Sequence, residues 1–398
     1  MNKFIFVIVA LVPMTLSAQI SKRPIATEHP WPDAFKTPQV ALEIPFDPPT
    51  PNYFTLPGEA NFGEISAVAV NSRGHVFILS RSNAKGNTYG GSATQVFEFD
   101  DKGKYVRELG RDLFSFAYGH GIKVDRDDHI WVVDKGTHMV TKFDHRTGKV
   151  AMVLGRRPEL NAHYWLEGRG GGPAGGAAPQ GRDGTFDEPT DVTWDSRGNI
   201  FVSDGYGNSR VAKFDKDGNW VGAWGKRGFG PGEFNIPHNI EIDKNDHVWV
   251  ADRSNGRLQV FDTDGLFLRE VIINVPTPAR QPIQGHQYPP DVKTWKPGQN
   301  LAYRPGTPDA ICVVRDNPNI MYVGDLYPGR IYKIDLSGKV LGVVPTHVGK
   351  QAGQVGGLHG LACASENVIY TAEFQNWRSQ RLVLHPEKAR PMTSLPRQ

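Results

Sequence analysis

An all-β chain closed into a six-bladed β-propeller is the architecture this sequence predicts, and three observations carry the prediction. First, Ile236–Phe261 reads as three short strands, Asn239–Ile242, His247–Ala251 and Arg257–Phe261, separated by turns at Asp243–Asp246 and Asp252–Gly256. Second, the central strand recurs with a polar residue at its end, in FILS, WVVD, FVSD, WVAD, MYVGD and IYTAE, anchored at Ser80, Asp134, Asp204, Asp252, Asp325 and Glu373. Third, a sheet of this size cannot bury both its faces alone, so six copies must cover one another, and a ring does this. The anchors are 54, 70, 48, 73 and 48 residues apart, and the two long intervals contain insertions.

Taken in order, the chain begins MNKFIFVIVALVPMTLSAQ, with Lys3, an apolar run from Phe4 to Val12 and small residues at Ser17 and Ala18. This pattern predicts a signal peptide over residues 1–18 and a periplasmic or secreted protein. Residues 19–60 are rich in Pro and are expected to wrap the outside of the ring or to supply a closing strand. The propeller is expected over 61–386, with blades at Gly63–Asp100, Ala117–Val150, Glu188–Val221, Pro237–Val271, Ala310–Val344 and Gly357–Leu384. Insertions fall at 156–183, which contains GRGGGPAGGAAPQGRDG, and at the Pro-rich 276–308. Forty-four Gly and 30 Pro fit a turn-rich fold, and a net charge of +3 excludes nucleic acid or an anionic membrane as the evident partner. Cys312 lies 13 residues before its anchor and Cys363 lies 10 before its own, which puts them on opposite faces of adjacent inner strands. Sequence leaves both a disulfide and two buried thiols open.

Counting back 14 residues from each anchor reaches Ser66, His120, Thr190, His238, Ile311 and His359. Histidine therefore occupies blades 2, 4 and 6, in YGHGIKVD, IPHNIEID and GLHGLACA. Alternate blades of a six-fold ring are related by rotations of about 120°, so three imidazoles on innermost strands would converge at the axis. Three histidines with an open position make a catalytic zinc geometry. A second set, His75, His129 and His247, shares an offset of five in blades 1, 2 and 4; it lacks three-fold symmetry and falls at a turn, so it reads as structural. Arg81 and Arg253 stand one residue past their anchors and Tyr206 stands two past Asp204. Beside a metal, a fixed cation and a phenol suit a substrate carrying a carboxylate.

These segments, above all VSDGYGNSRV, IPHNIEID and VWVADRSNGRLQVF, resemble the NHL-repeat propeller lyases that complete peptide amidation, the peptidyl-α-hydroxyglycine α-amidating lyases. The resemblance runs from about Gly63 to Leu384. It implies His120, His238 and His359 as zinc ligands, Tyr206 as catalytic base, and Arg81 and Arg253 as active-site arginines. It also implies a channel Ca2+ held by the carbonyls of Val68 and Ile122 and by an aspartate after the last zinc histidine. Here that residue is Gly360, so the carboxylate is missing. The family's disulfide cysteines are replaced too, by Gly207 and Val260, and no monooxygenase domain is recognised. The expected reaction is cleavage of the C–N bond of a carbinolamide to an amide and glyoxylate by a monomeric enzyme acting on a small molecule or peptide. Two rivals remain: another metal-dependent lyase or hydrolase of a small hydroxy acid or lactone, and a non-catalytic NHL binding module.

Overall fold

The computed structural model describes residues 38–58, 60–81, 94–156, 181, 183–276 and 300–392. The predicted signal peptide and most of both insertions lie outside the described residues. Among those described, no helix is long and apolar enough to cross a membrane.

The fold is a six-bladed β-propeller. A two-residue strand β1 (Leu42–Glu43) precedes blade 1, which comprises β2 (Glu64–Val70), β3 (Val76–Arg81), β4 (Thr94–Phe99) and β5 (Tyr105–Leu109). Blade 2 is β6 (Gly119–Val124), β7 (Ile130–Asp134), β8 (Met139–Phe143) and β9 (Val150–Gly155); blade 3 is β10 (Asp191–Trp194), β11 (Ile200–Asp204), β12 (Arg210–Phe214) and β13 (Trp220–Trp224). Blade 4 is β14 (Pro237–Ile242), β15 (Val248–Asp252), β16 (Arg257–Phe261) and β17 (Phe267–Val271); blade 5 is β18 (Pro308–Val313), β19 (Ile320–Asp325), β20 (Ile331–Asp335) and β21 (Val340–Val344). Blade 6 is β22 (Leu358–Ser365), β23 (Val368–Glu373) and β24 (Arg381–Val383), and a last short strand β25 is Arg390–Pro391. Each blade is an antiparallel meander. The outer strands of blades 1–5 lie beyond the three-strand unit read from sequence. Those of blades 1–4 are half exposed, so they lack the apolar run that marks the inner strands, whereas β21 of blade 5 is apolar and mostly buried beneath β1.

The Pro-rich segment closes the ring. β1 pairs in parallel with β21 at the rim of blade 5, and β25 pairs with β1 in turn. The chain then runs to blade 6, where Phe46 bridges Leu384 and the Asp47 N–H donates to the Val383 carbonyl. The missing fourth strand position of blade 6 is thus filled from the other end of the chain, and β2 packs on both β22 and β6.

Six apolar clusters alternate with the six blades. For example, Val133, Val140, Val192 and Val202 join blades 2 and 3, and Ala251, Leu258, Ile311 and Val323 join blades 4 and 5. Cys312 and Cys363 lie in the cluster between blades 5 and 6 and form a disulfide, with Cα atoms 5.8 Å apart. The alternative of two buried thiols is thereby corrected. The parity reading was sound, but one face of a blade packs on the opposite face of the next. Residues of unlike parity on neighbouring inner strands are therefore the ones that meet.

The anchors explain why each copy repeats. Each accepts a backbone N–H from the loop leading into its own blade: Ser80 from Gly63, Asp134 from Ala117, Asp204 from Asp187, Asp252 from Asn235, Asp325 from Gly306 and Glu373 from Gly356. Further donors complete the shell. Asp252 also receives Asn255, Arg257 and Gln259, and Glu373 receives Asn376, Arg378 and Gln380. Burial pushes these carboxyls up, in Asp204 to about 6, and Arg210 and the other donors oppose it. A buried anion needs such a shell, and forming it fixes where the first strand of each blade begins.

Candidate metal centre

Three residues after the N–H gripped by its anchor, the first strand of the blade slips register by one residue. The slip occurs at Ser66, His120, His238, Asp309 and His359. Thr190 has the matching place in blade 3, its N–H donating to the Ser203 carbonyl. A bulge takes a side chain out of the up-and-down alternation of the strand and re-aims it. In blades 2, 4 and 6 that side chain is imidazole.

The three rings meet. Their centroids are 4.7 Å apart for His120 and His238, 4.7 Å for His120 and His359, and 4.8 Å for His238 and His359. One nitrogen from each lies within 4.8 Å of the others. Each ring is oriented by the bulge residue of the next blade. His120 Nδ1 donates to the Thr190 carbonyl at 2.8 Å, His238 Nδ1 to the Asp309 carbonyl at 2.9 Å and His359 Nδ1 to the Ser66 carbonyl at 2.7 Å. Glycine permits this approach, because a Cβ on Gly121 would stand 2.6 Å from the Thr190 carbonyl oxygen.

Burial holds all three imidazoles neutral, His359 down to about 3, with Arg81 next among the causes there, Arg253 at His238 and His359 at His120. A neutral ring whose Nδ1–H is committed to a carbonyl presents the Nε2 lone pair, the form that binds metal. His238 Nε2 is fully buried without a hydrogen-bond partner among the described residues. Three such nitrogens fit a borderline-soft divalent ion with one open position, as zinc takes.

The remaining residues singled out by sequence gather beside this triangle. The Tyr206 hydroxyl is 3.3 Å from His120 Nε2. Arg253 lies 5.5 Å from the Tyr206 ring centroid and pairs with Asp309 at 3.4 Å. Arg81 pairs with Glu64 at 2.8 Å and stacks on Tyr118 at 4.2 Å. In both arginines Nε is buried and has no partner among the described residues. His75, His129 and His247 lie elsewhere, at turns where each backbone N–H donates to Asn71, Asp125 or Asp243.

Two residues escaped the sequence reading. Lys135 lies 3.6 Å over the Tyr206 ring and pairs with Glu188 at 3.3 Å. It stands one residue past Asp134, the same offset that marked Arg81 and Arg253, so its signal was present. Asp309, not Ile311, is the bulge residue of blade 5. The hairpin between β18 and β19 is two residues longer than the others, with 19 residues between the Asp325 anchor and its N–H donor against 17 in blade 4. A fixed count of 14 back from the anchor therefore stopped two residues short.

The implied calcium does not fit these residues. Val68 and Ile122 do line a cavity shared with His120 and His359, but Gly360 offers no carboxylate. The carboxylate in that cavity, Asp191, pairs with Lys123 Nζ at 3.4 Å.

Comparison with known proteins bears on the fold and on the names of similar chains. A family model described as a 6-bladed beta-propeller matches residues 185–288. The chain is 30% identical over 246 residues to the peptidylglycine alpha-amidating monooxygenase of Rattus norvegicus, a match covering 56% of this chain and 22% of that protein. It is 32% identical over 215 residues to a Caenorhabditis elegans protein named probable peptidyl-alpha-hydroxyglycine alpha-amidating lyase pgal-1, covering 50% of this chain and 55% of that one. It is also 30% identical over 227 residues to NHL repeat-containing protein 3 of Mus musculus, covering 54% and 55%. The chain thus spans only 22% to 55% of the length of these relatives. Among solved structures, a streptogramin B lyase superposes with a TM-score of 0.50 at 14% identity, covering 86% of this chain and 98% of that one, which shows the fold. The resemblance to amidating lyases is shared with relatives at about 30% identity, on a six-bladed propeller with NHL-type repeats.

Proposed function

We propose that this chain is a zinc-dependent lyase that cleaves the C–N bond of a carbinolamide, N–CH(OH)–COO⁻, to release an amide and glyoxylate. The observation that carries the reading is the triangle of neutral imidazoles with the Tyr206 hydroxyl 3.3 Å from one of its nitrogens. The lyase names of the relatives supply the reaction class.

His120, His238 and His359 would hold the zinc, which when bound supplies Lewis acidity to a hydroxyl oxygen placed against it. Tyr206 takes the hydroxyl proton. It does so from its phenolate form, whose charge stands next to the two cations against its ring, Lys135 and Arg253, and it then returns the proton to the departing nitrogen. As the C–O bond gains double-bond character the C–N bond breaks, and the departing nitrogen recovers a proton to become the amide. The Nε–H of Arg253, or that of Arg81, each without a partner among the described residues, donates to the carboxylate of the glyoxylate portion. Guanidinium can do this with two parallel hydrogen bonds, a geometry lysine lacks.

The substrate is accordingly a small molecule or peptide with a terminal carboxylate, with the chain acting as a monomer and without nucleic acid. The Cys312–Cys363 bridge supports a periplasmic or secreted setting, where disulfides persist. Glyoxylate release from an α-hydroxyglycine peptide by zinc-loaded protein tests the proposal. Activity confined to lactones or other hydroxy acids would move the chain to a different metal-dependent lyase or hydrolase. The similarity to NHL repeat-containing protein 3 keeps a binding module as the second reading, and full partner binding by zinc-free protein would favour it.

A further inference from the structure

Lys123 lies three residues beyond His120 on β6 and lines the cavity that His120 and His359 share with Gly121, Asp191 and Asn239. Its ammonium has three oxygen partners from two other blades. Asp191 Oδ2 and the Ile240 carbonyl are each 3.4 Å away, and Glu241 Oε1 is in closer contact. An ammonium carries three donors, so the match is complete. Asp191 is wholly buried, and Lys123 and Glu241 are nearly so. Burial opposes charge on Lys123, yet Asp191 and Glu241 outweigh it and keep the group protonated.

We propose that the Lys123 ammonium is the resident cation of the propeller channel, tying blade 2 to blades 3 and 4 and leaving no role for a second, divalent ion. Calcium takes six to eight oxygen ligands. Val68 and Ile122 line the cavity, and its one carboxylate, Asp191, has a single oxygen, Oδ1, without a partner among the described residues. Its free volume of about 10 Å³ is at the threshold for one water, which leaves no room for the waters that would have to complete a calcium shell. A divalent ion placed there would also face a fixed positive charge within reach of the same carboxylate. In this chain the charge that holds the inner strands together is covalently built in. The inference is independent of which reaction the histidine triangle performs.

The test uses full-length protein dialysed against EGTA, reloaded with zinc alone and then returned to millimolar calcium, with metal content and melting temperature read before and after the calcium. The expected result is no stoichiometric calcium and a melting temperature unmoved by its addition. Lys123→Met should melt about 5 °C lower, because two buried carboxylates lose their counter-charge. Calcium should raise that variant and not the wild type, and Lys123→Arg should stay closer to wild type. Stoichiometric calcium in the zinc-reloaded wild type, a rise in its melting temperature when calcium is added, or a Lys123→Met protein as stable as wild type would each overturn the proposal. If Lys123→Met does not fold, the wild-type measurements decide alone.

Discussion

Gly121→Ala is the sharpest probe of the metal centre, because it touches no ligand. The added methyl would stand 2.6 Å from the Thr190 carbonyl oxygen, which must retreat by roughly 0.8 Å to reach the 3.4 Å of ordinary contact. That same oxygen accepts the His120 Nδ1–H at 2.8 Å, so retreat along the bond stretches it to about 3.6 Å, beyond hydrogen-bond length. Loss of such an orienting bond typically costs 10- to 100-fold in metal affinity, so a zinc Kd weakened by about that factor is expected. Gly360→Ala is the internal control. Its methyl would meet Ala67 Cα at 3.1 Å and the Ser66 oxygen at 3.2 Å, which a shift of a few tenths of an ångström relieves. Competition of each variant with a chromophoric chelator gives the two affinities, and the melting temperature of the metal-free proteins reports whether the fold survives. Equal zinc affinities for the two variants, or a Gly121→Ala protein that binds as tightly as wild type, would refute the reasoning.

Other outcomes follow from the same geometry. His238→Ala should lose most bound zinc and nearly all turnover, whereas Tyr206→Phe should keep its zinc and lose turnover; metal analysis beside a glyoxylate assay separates them. Asp252→Asn should cost about 3–5 kcal/mol in denaturant unfolding, since it strips a fully buried charge from Arg257 and loosens the loop leading to His238. The paired Cys312→Ser and Cys363→Ser changes should lower stability by about 2–4 kcal/mol with zinc content unchanged, because the bridge lies in the apolar cluster between blades 5 and 6 and contributes no ligand. Burial and then Arg81 hold His359 down to about 3. The unfolded chain therefore takes up a proton near the ordinary imidazole pKa that the folded chain refuses. Stability is intact above about pH 6.5 and falls from there towards pH 3. Metal-free wild type should fall more steeply over that window than metal-free His359→Asn; equal slopes would contradict it.

The amino-acid sequence determined the six-fold repeat, since strand-length apolar runs and buried anchors are local patterns that recur at countable distances. It also determined which three blades carry histidine. Tertiary structure decided what that counting could not reach. A hairpin two residues longer in blade 5 made Asp309 the residue that orients His238, and hairpin length is set by turn geometry rather than by the anchor. The Cys312–Cys363 bridge depends on opposite faces of neighbouring sheets meeting, a relation between blades that no single strand encodes. Lys123 reads as one more polar residue in HGIKVD. Its role is fixed by Asp191 and Glu241, 68 and 118 residues further along, because closing a ring brings distant inner strands around one narrow axis where any charge must find its partner.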